Sequence, residues 1–208
     1  LDGDNLASLD ALARLFMARA EPAEAVPWLS QRLERTPDGV AFGDRSRTDV
    51  VLGLTEALLG AGKPERAAEV LADAVAADPA EARVRDLLLR LQREAGAWEP
   101  LAALLQVAAD NTSDRAQVLS HLYEAAAILR DKLGALDRSI PVLEKLHAMV
   151  PEDRGVRGSL ADALMSAQRY ADARKILEGL LADFGRRRPP ERARVHYKLA
   201  DIARAQGD

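Results

Sequence analysis

A block of 34 residues recurs five times along this chain, and no other property narrows its fold as much. The segments Ala20–Pro37, Ala61–Pro79, Leu133–Pro151 and Ala167–Gly185 align with one another. Each shows a turn, a helix start, a small side chain and a leucine four residues later. Extending the alignment gives units Leu6–Gly39, Thr48–Glu81, Ala82–Arg115, Ser120–Asp153 and Arg154–Arg187, followed by a partial unit over 193–208. Residues 1–5 read as the tail of a preceding unit. Insertions of eight, four and five residues (Val40–Arg47, Ala116–Leu119 and Arg188–Arg192) separate some units, and the others abut. A repeat of this length is one supersecondary unit that cannot bury its apolar face alone, so stacked neighbours must cover it.

Each unit divides into two helices. Alanine leads the composition, with leucine and arginine next, all strong helix formers. No stretch alternates apolar and polar residues long enough to read as a strand. The spacing predicts first helices over Leu6–Arg19, Thr48–Ala61, Ala82–Ala95, Asp114–Leu133, Glu152–Ala167 and Glu191–Gln206. Second helices are predicted over Pro22–Arg35, Pro64–Ala77, Trp98–Asp110, Leu136–Met149 and Tyr170–Phe184. Pro22 and Pro64 open second helices, where a missing N–H costs nothing. Most of the prolines among Pro22, Pro37, Pro64, Pro79, Pro141 and Pro151 are taken to sit at junctions. Second helices share one leucine column, Leu29, Leu71, Leu105, Leu143 and Leu177. First helices share Leu12, Leu54, Leu88, Leu160 and Leu199, with Ala126 as the exception. Small residues beside these columns (Ala13, Thr55, Ala127, Ala161 and Ala200; Ala25, Ala67, Ser139 and Ala173) let helices approach closely.

This pattern resembles the tetratricopeptide repeat family. The residues that carry the resemblance best are Leu160, Ala161, Leu164, Tyr170, Ala173 and Leu177, then Leu54, Leu58, Gly62, Ala67, Leu71, Ala74 and Pro79. Leu89 and Leu101 depart from it, and the unit that holds them lacks the closing proline, so its packing is expected to be the loosest. The resemblance spans nearly the whole chain. It implies an all-α fold, a single right-handed α-superhelical solenoid of antiparallel helix pairs with about five and a half repeats over 1–208. It also implies a concave face lined by first helices. The chain is expected to be a segment of a longer bacterial array.

Several chemistries are excluded or set aside. The 208 residues include no cysteine, so no disulfide, thiolate metal site or cysteine nucleophile is available. A net charge of −4 and 4% aromatic content oppose binding driven by phosphate neutralisation or base stacking, so no nucleic-acid partner is expected. No apolar run is long enough to span a bilayer, so no membrane insertion is expected. Glu144 and His147 form an E-x-x-H pair, but the di-iron arrangement needs a second copy and further carboxylates. In His147's column the neighbouring units carry Leu33, Val75 and Leu181. Gly60-Ala61-Gly62-Lys63 lacks the first glycine, the hydroxyl residue and the strand of a phosphate loop. No metal, cofactor or catalytic residue is assigned, and no enzyme activity is expected.

Function therefore rests on the face that the family analogy turns outward. Its residues are Asp10, Arg14 and Met17; Glu56 and Leu59; Arg83, Asp86, Arg90 and Arg93; His121, Glu124 and Ile128; Asp162 and Met165; and Tyr197 and Asp201. This mixture of charge with Met, Leu, Ile and Tyr suits a peptide or amphipathic helix of a protein partner. The terminal-carboxylate clamp of chaperone-binding members is absent, since its places carry Asp10 and Arg14, Leu52 and Glu56, and Arg83 and Leu87. Phe42 in the Val40–Arg47 insertion and the run Arg186-Arg187-Arg188 are secondary contact candidates. The alternative function is a structural spacer that self-associates end to end. The compartment, cytoplasmic or periplasmic, is not encoded here.

Overall fold

The computed structural model describes residues 6–36, 46–185 and 189–207. The tail 1–5, Phe42 and the Arg186–Arg188 run lie outside the described residues. The chain forms two compact units, Leu1–Ala97 and Trp98–Asp208. The first holds α1 (Leu6–Ala18), α2 (Pro22–Glu34), α3 (Arg47–Gly60), α4 (Pro64–Ala77) and α5 (Ala82–Ala95). The second holds α6 (Trp98–Asp110), α7 (Arg115–Ala127), a π turn (Ile128–Lys132), α8 (Leu136–Met149), α9 (Arg154–Ser166), α10 (Tyr170–Phe184) and α11 (Pro190–Gln206). There is no strand among the described residues. Within each unit every helix packs on the next in sequence. The protein is thus an all-α helical repeat.

Local chemistry sets the helix ends. Ser46 and Asp49 form a reciprocal capping box on α3, and Asp153 accepts from the N–H groups of Gly155 and Val156 at the start of α9. Pro22 and Pro64 occupy first-turn positions of second helices. The reversal between partner helices always falls at one repeat position, with positive φ: Ala20, Gly62, Gly96, Gly134 and Gln168. Four of these reversals close with a bond to a carbonyl five residues back: Glu21 to Phe16, Lys63 to Leu58, Ala97 to Gln92 and Arg169 to Leu164. Pro141 lies inside α8, as the predicted Leu136–Met149 helix has it, and Pro27 holds the equivalent place inside α2. Both are exposed near the start of their helices, where the lost backbone bond faces water.

The second-helix column is confirmed. Leu29, Leu71, Leu105, Leu143 and Leu177 are all at most 4% exposed. Leu12 of α1 and Leu199 of α11, expected in the first-helix leucine column, are only half-buried. Three first helices show a six-residue signature: Val50, Val51, Leu54, Thr55, Ala57 and Leu58 in α3 are buried. The same six places are buried in α5 (Val84, Arg85, Leu88, Leu89, Leu91 and Gln92) and in α9 (Val156, Arg157, Leu160, Ala161, Ala163 and Leu164). A stripe this wide covers helices on two sides.

In α7 the signature falls one residue earlier than the 34-residue frame places it. Leu122, Ala125, Ala126, Ile128 and Leu129 are the buried set. The surplus residue is taken up between Leu129 and the Gly134 reversal, in the π turn. There Leu133 N–H bonds to Ile128, and Ala135 N–H reaches six residues back to Leu129 instead of five.

Candidate protein-docking faces

First helices within a unit are tied together by polar contacts between their outward residues. Asp49 and Arg83 link α3 to α5 at 3.2 Å, with Glu81 a second partner of Arg83 at 3.4 Å. Arg130 donates to Ser159 at 3.1 Å, and Lys198 meets Asp162 of α9 at 2.5 Å. Hydrogen bonds from the Ser46 side chain and backbone lower the Asp49 pKa most, and the Arg83 guanidinium adds to this. Second helices carry a separate set of ties. Arg138 pairs with Glu99, Lys145 with Asp110, and Arg169 with Glu144. The repeats of the second unit therefore present two distinct faces.

On the first-helix face, Arg14, Met17 and Glu56 come together in one cleft of about 210 Å³, over Ala13, Leu29 and Gly53. Ala13 and Leu29 are buried and form its floor, while Arg14 and Glu56 are exposed with opposite charge. Arg14 Nε donates to the Asp10 carbonyl at 3.3 Å, which lays the guanidinium along α1. Elsewhere on this face Asp86, Arg90 and Arg93 are exposed on α5, and Leu59 is half-buried on α3. In the second unit Asp162 and Tyr197 are exposed, Tyr197 by 65%, while Met165 and Asp201 are half-buried. Asp201 is paired with Arg204 at 3.2 Å. His121 and Glu124 are half-buried on α7.

Two expected face residues are corrected. Asp10 is buried and paired at 3.1 Å with Arg32, whose side chain is 1% exposed. Arg32 also donates to Thr36, so the carboxylate serves the α1–α2 interface and is not offered to a partner. Ile128 is 6% exposed, because the one-residue frame shift puts it in the buried place that Ala163 fills in α9.

A second concavity was not read from the sequence. It lies on the second-helix side of the second unit, between α8 and α10 and over α9, with a volume of about 290 Å³. Leu160 and Leu164 line it together with Ala148 and Ile176, and Glu144, Arg169 and Asp172 stand on its rim. Arg169 holds both rim carboxylates, at 3.3 Å and 2.9 Å. His147 lines it too, and its Nδ1 is buried without a hydrogen-bond partner. The one available sequence signal was His147 itself, polar where other repeats are aliphatic. No group of three or more His, Asp or Glu side chains suited to a metal occurs among the described residues. No helix there is long and apolar enough to cross a membrane.

Comparison with known proteins adds family matches. Residues 8–41 and 132–189 match models described as tetratricopeptide repeat. Among solved structures, a double mutant of MamA RS-1 is 13% identical, with 98% of this chain and 97% of that chain covered and a TM-score of 0.45. A MamA protein is 17% identical, with 86% and 91% covered and a TM-score of 0.44. A tetratricopeptide repeat protein from Parabacteroides merdae is 13% identical, with 97% and 73% covered and a TM-score of 0.44. No curated protein is matched. Residues 8–41 and 132–189 thus carry tetratricopeptide repeats, in a chain whose described residues form helix pairs throughout.

Proposed function

We propose that this protein-interaction scaffold binds an extended peptide or a helix of a protein partner along its first-helix face. The observation that carries the reading is the meeting of Arg14, Met17 and Glu56 in one cleft, from positions 42 residues apart in the chain. The cleft supplies an apolar floor between a fixed cation and an anion. Glu56 makes no hydrogen bond or ion pair among the described residues, so it meets a ligand without first breaking an internal contact. The packing of α1 on α2 and of α2 on α3 holds these groups in place, which lowers the ordering cost of docking. Arg90 and Asp86 extend the strip in the first unit. Asp162, Met165 and Tyr197 offer the same kinds of group in the second.

Selection of peptides from a random library on the intact chain tests this. The expected ligands carry an acidic and a basic residue flanking an apolar one. Arg14→Glu with Glu56→Lys should abolish their binding at low salt and favour peptides with the two charges exchanged. Selected peptides that bind the doubly reversed protein unchanged refute the groove.

A further inference from the structure

Gly53 stands inside α3, where no turn requires a glycine and where the missing side chain weakens the helix. Its place in the repeat carries Leu87 in α5, Ser159 in α9 and Lys198 in α11. Two of these side chains reach back to the preceding repeat. Ser159 accepts from Arg130 at 3.1 Å, and Lys198 pairs with Asp162 at 2.5 Å. Asp162 and Met165 of α9 hold the places that Arg14 and Met17 hold in α1. Between α1 and α3 the corresponding tie is therefore missing. The cleft of about 210 Å³ opens at this spot, with Gly53, Arg14 and Met17 in its lining.

The surroundings of the gap select what fills it. Its volume lies below the about 300–1,000 Å³ of small-molecule pockets, so it takes one side chain. The floor of Leu29 and Ala13 is apolar and calls for an apolar group. The Met17 thioether and the Arg14 guanidinium both gain more from an aromatic ring than from an aliphatic chain. The Arg14 Nη groups make no hydrogen bond among the described residues, so the guanidinium can stack on a ring while its edge pairs with an acidic residue. A glycine without Cβ lets a flat group approach the α3 backbone closely. We propose that Gly53 opens a socket for one aromatic side chain of the peptide partner, whose ring lies over Leu29 and against Arg14 and Met17. The proposal rests on the peptide-groove reading above and names the anchor of that ligand.

The probe is a peptide library panned on the full chain. Its central position is Trp, Phe, Leu or Ala, between an acidic and a basic residue in either order. Isothermal titration of the selected peptides should show aromatic centres binding about tenfold tighter than the same peptides with Leu. Gly53→Leu copies the side chain of α5 into α3 and should cut aromatic binding at least tenfold, with circular dichroism confirming the fold. Gly53→Ala, which adds one methyl group and favours the helix, should give a smaller loss in the same direction. Loss of binding in Arg14→Glu with Glu56→Lys, together with leucine peptides that bind as tightly as aromatic ones, overturns the anchor and leaves the groove reading standing. Aromatic binding unchanged in both Gly53→Leu and Gly53→Ala overturns the anchor as well. Peptides indifferent to the charge reversal, or a library that yields none, overturn the groove and the anchor together.

Discussion

Deleting one residue from the π turn should be nearly neutral, although a deletion inside a helix ordinarily rotates everything before it by about 100°. Asp131 is the residue to remove. Four residues separate Leu129 from the reversal at Gly134, whereas three separate Leu164 from Gln168. Without Asp131 the two segments match, and Ala135 can bond five residues back like its counterparts. The interaction lost is the Arg130–Asp131 pair at 2.6 Å, with side chains 45% and 53% exposed. A surface pair of this kind contributes about 0–1 kcal/mol. The net change should therefore stay within about 1 kcal/mol. Deleting Ser166, at the corresponding place in α9, removes a residue where none is spare. Val156, Leu160 and Leu164, each at most 3% exposed, then leave their positions. At about 1.5–3 kcal/mol per side chain the loss is about 5–9 kcal/mol, comparable with the whole stability of a domain, about 5–15 kcal/mol. Urea unfolding followed by circular dichroism separates the two outcomes. Equal damage from both deletions would refute the frame-shift account of α7.

Tyr123 donates its hydroxyl to Asp153, which raises the tyrosine pKa to about 12 and helps to lower that of Asp153. The folded state thus holds the phenolic proton more tightly than the unfolded chain, whose tyrosines titrate near ~10. This stabilisation is complete below pH ~10 and is lost as pH rises from there to about 12. Tyr123→Phe should cost about 1 kcal/mol at neutral pH and flatten the alkaline decline in the urea midpoint; an unchanged decline would show that the bond is not formed. Asp10→Ala strands the Arg32 guanidinium and should cost about 3–5 kcal/mol, whereas Asp10→Leu with Arg32→Met should be close to neutral. Chemical denaturation that finds the double variant as unstable as the single one would contradict the buried pair.

The second-helix leucine column was legible because it is repeated in every pair, and repetition averages out local exceptions. The frame of α7 was not, because a single extra residue leaves both flanking alignments plausible. One sign was present: the 34-residue frame assigns Arg130 to the column of Leu58 and Leu164, and a charged residue in a leucine column marks a slipped register. Asp10 misled for a different reason. An acidic residue on an amphipathic helix reads as solvated unless its partner is known, and Arg32 lies 22 residues away. Arg14 and Glu56 were readable as outward positions, while their meeting in one cleft required the packing of α1 on α2 and of α2 on α3. The His147 cleft depends on three helices from two repeats, so no single motif announces it.

The left-handed reversals at Ala20 and Gln168 have a kinetic consequence. A side chain at positive φ costs roughly 1–2 kcal/mol, so these two corners oppose their own hairpins, whereas Gly62 and Gly134 do not. The α3–α4 and π turn–α8 corners can form from local preference, while α1–α2 and α9–α10 close only once a neighbouring pair gives them a template. Assembly of each unit should accordingly begin at a glycine corner and spread outward from it.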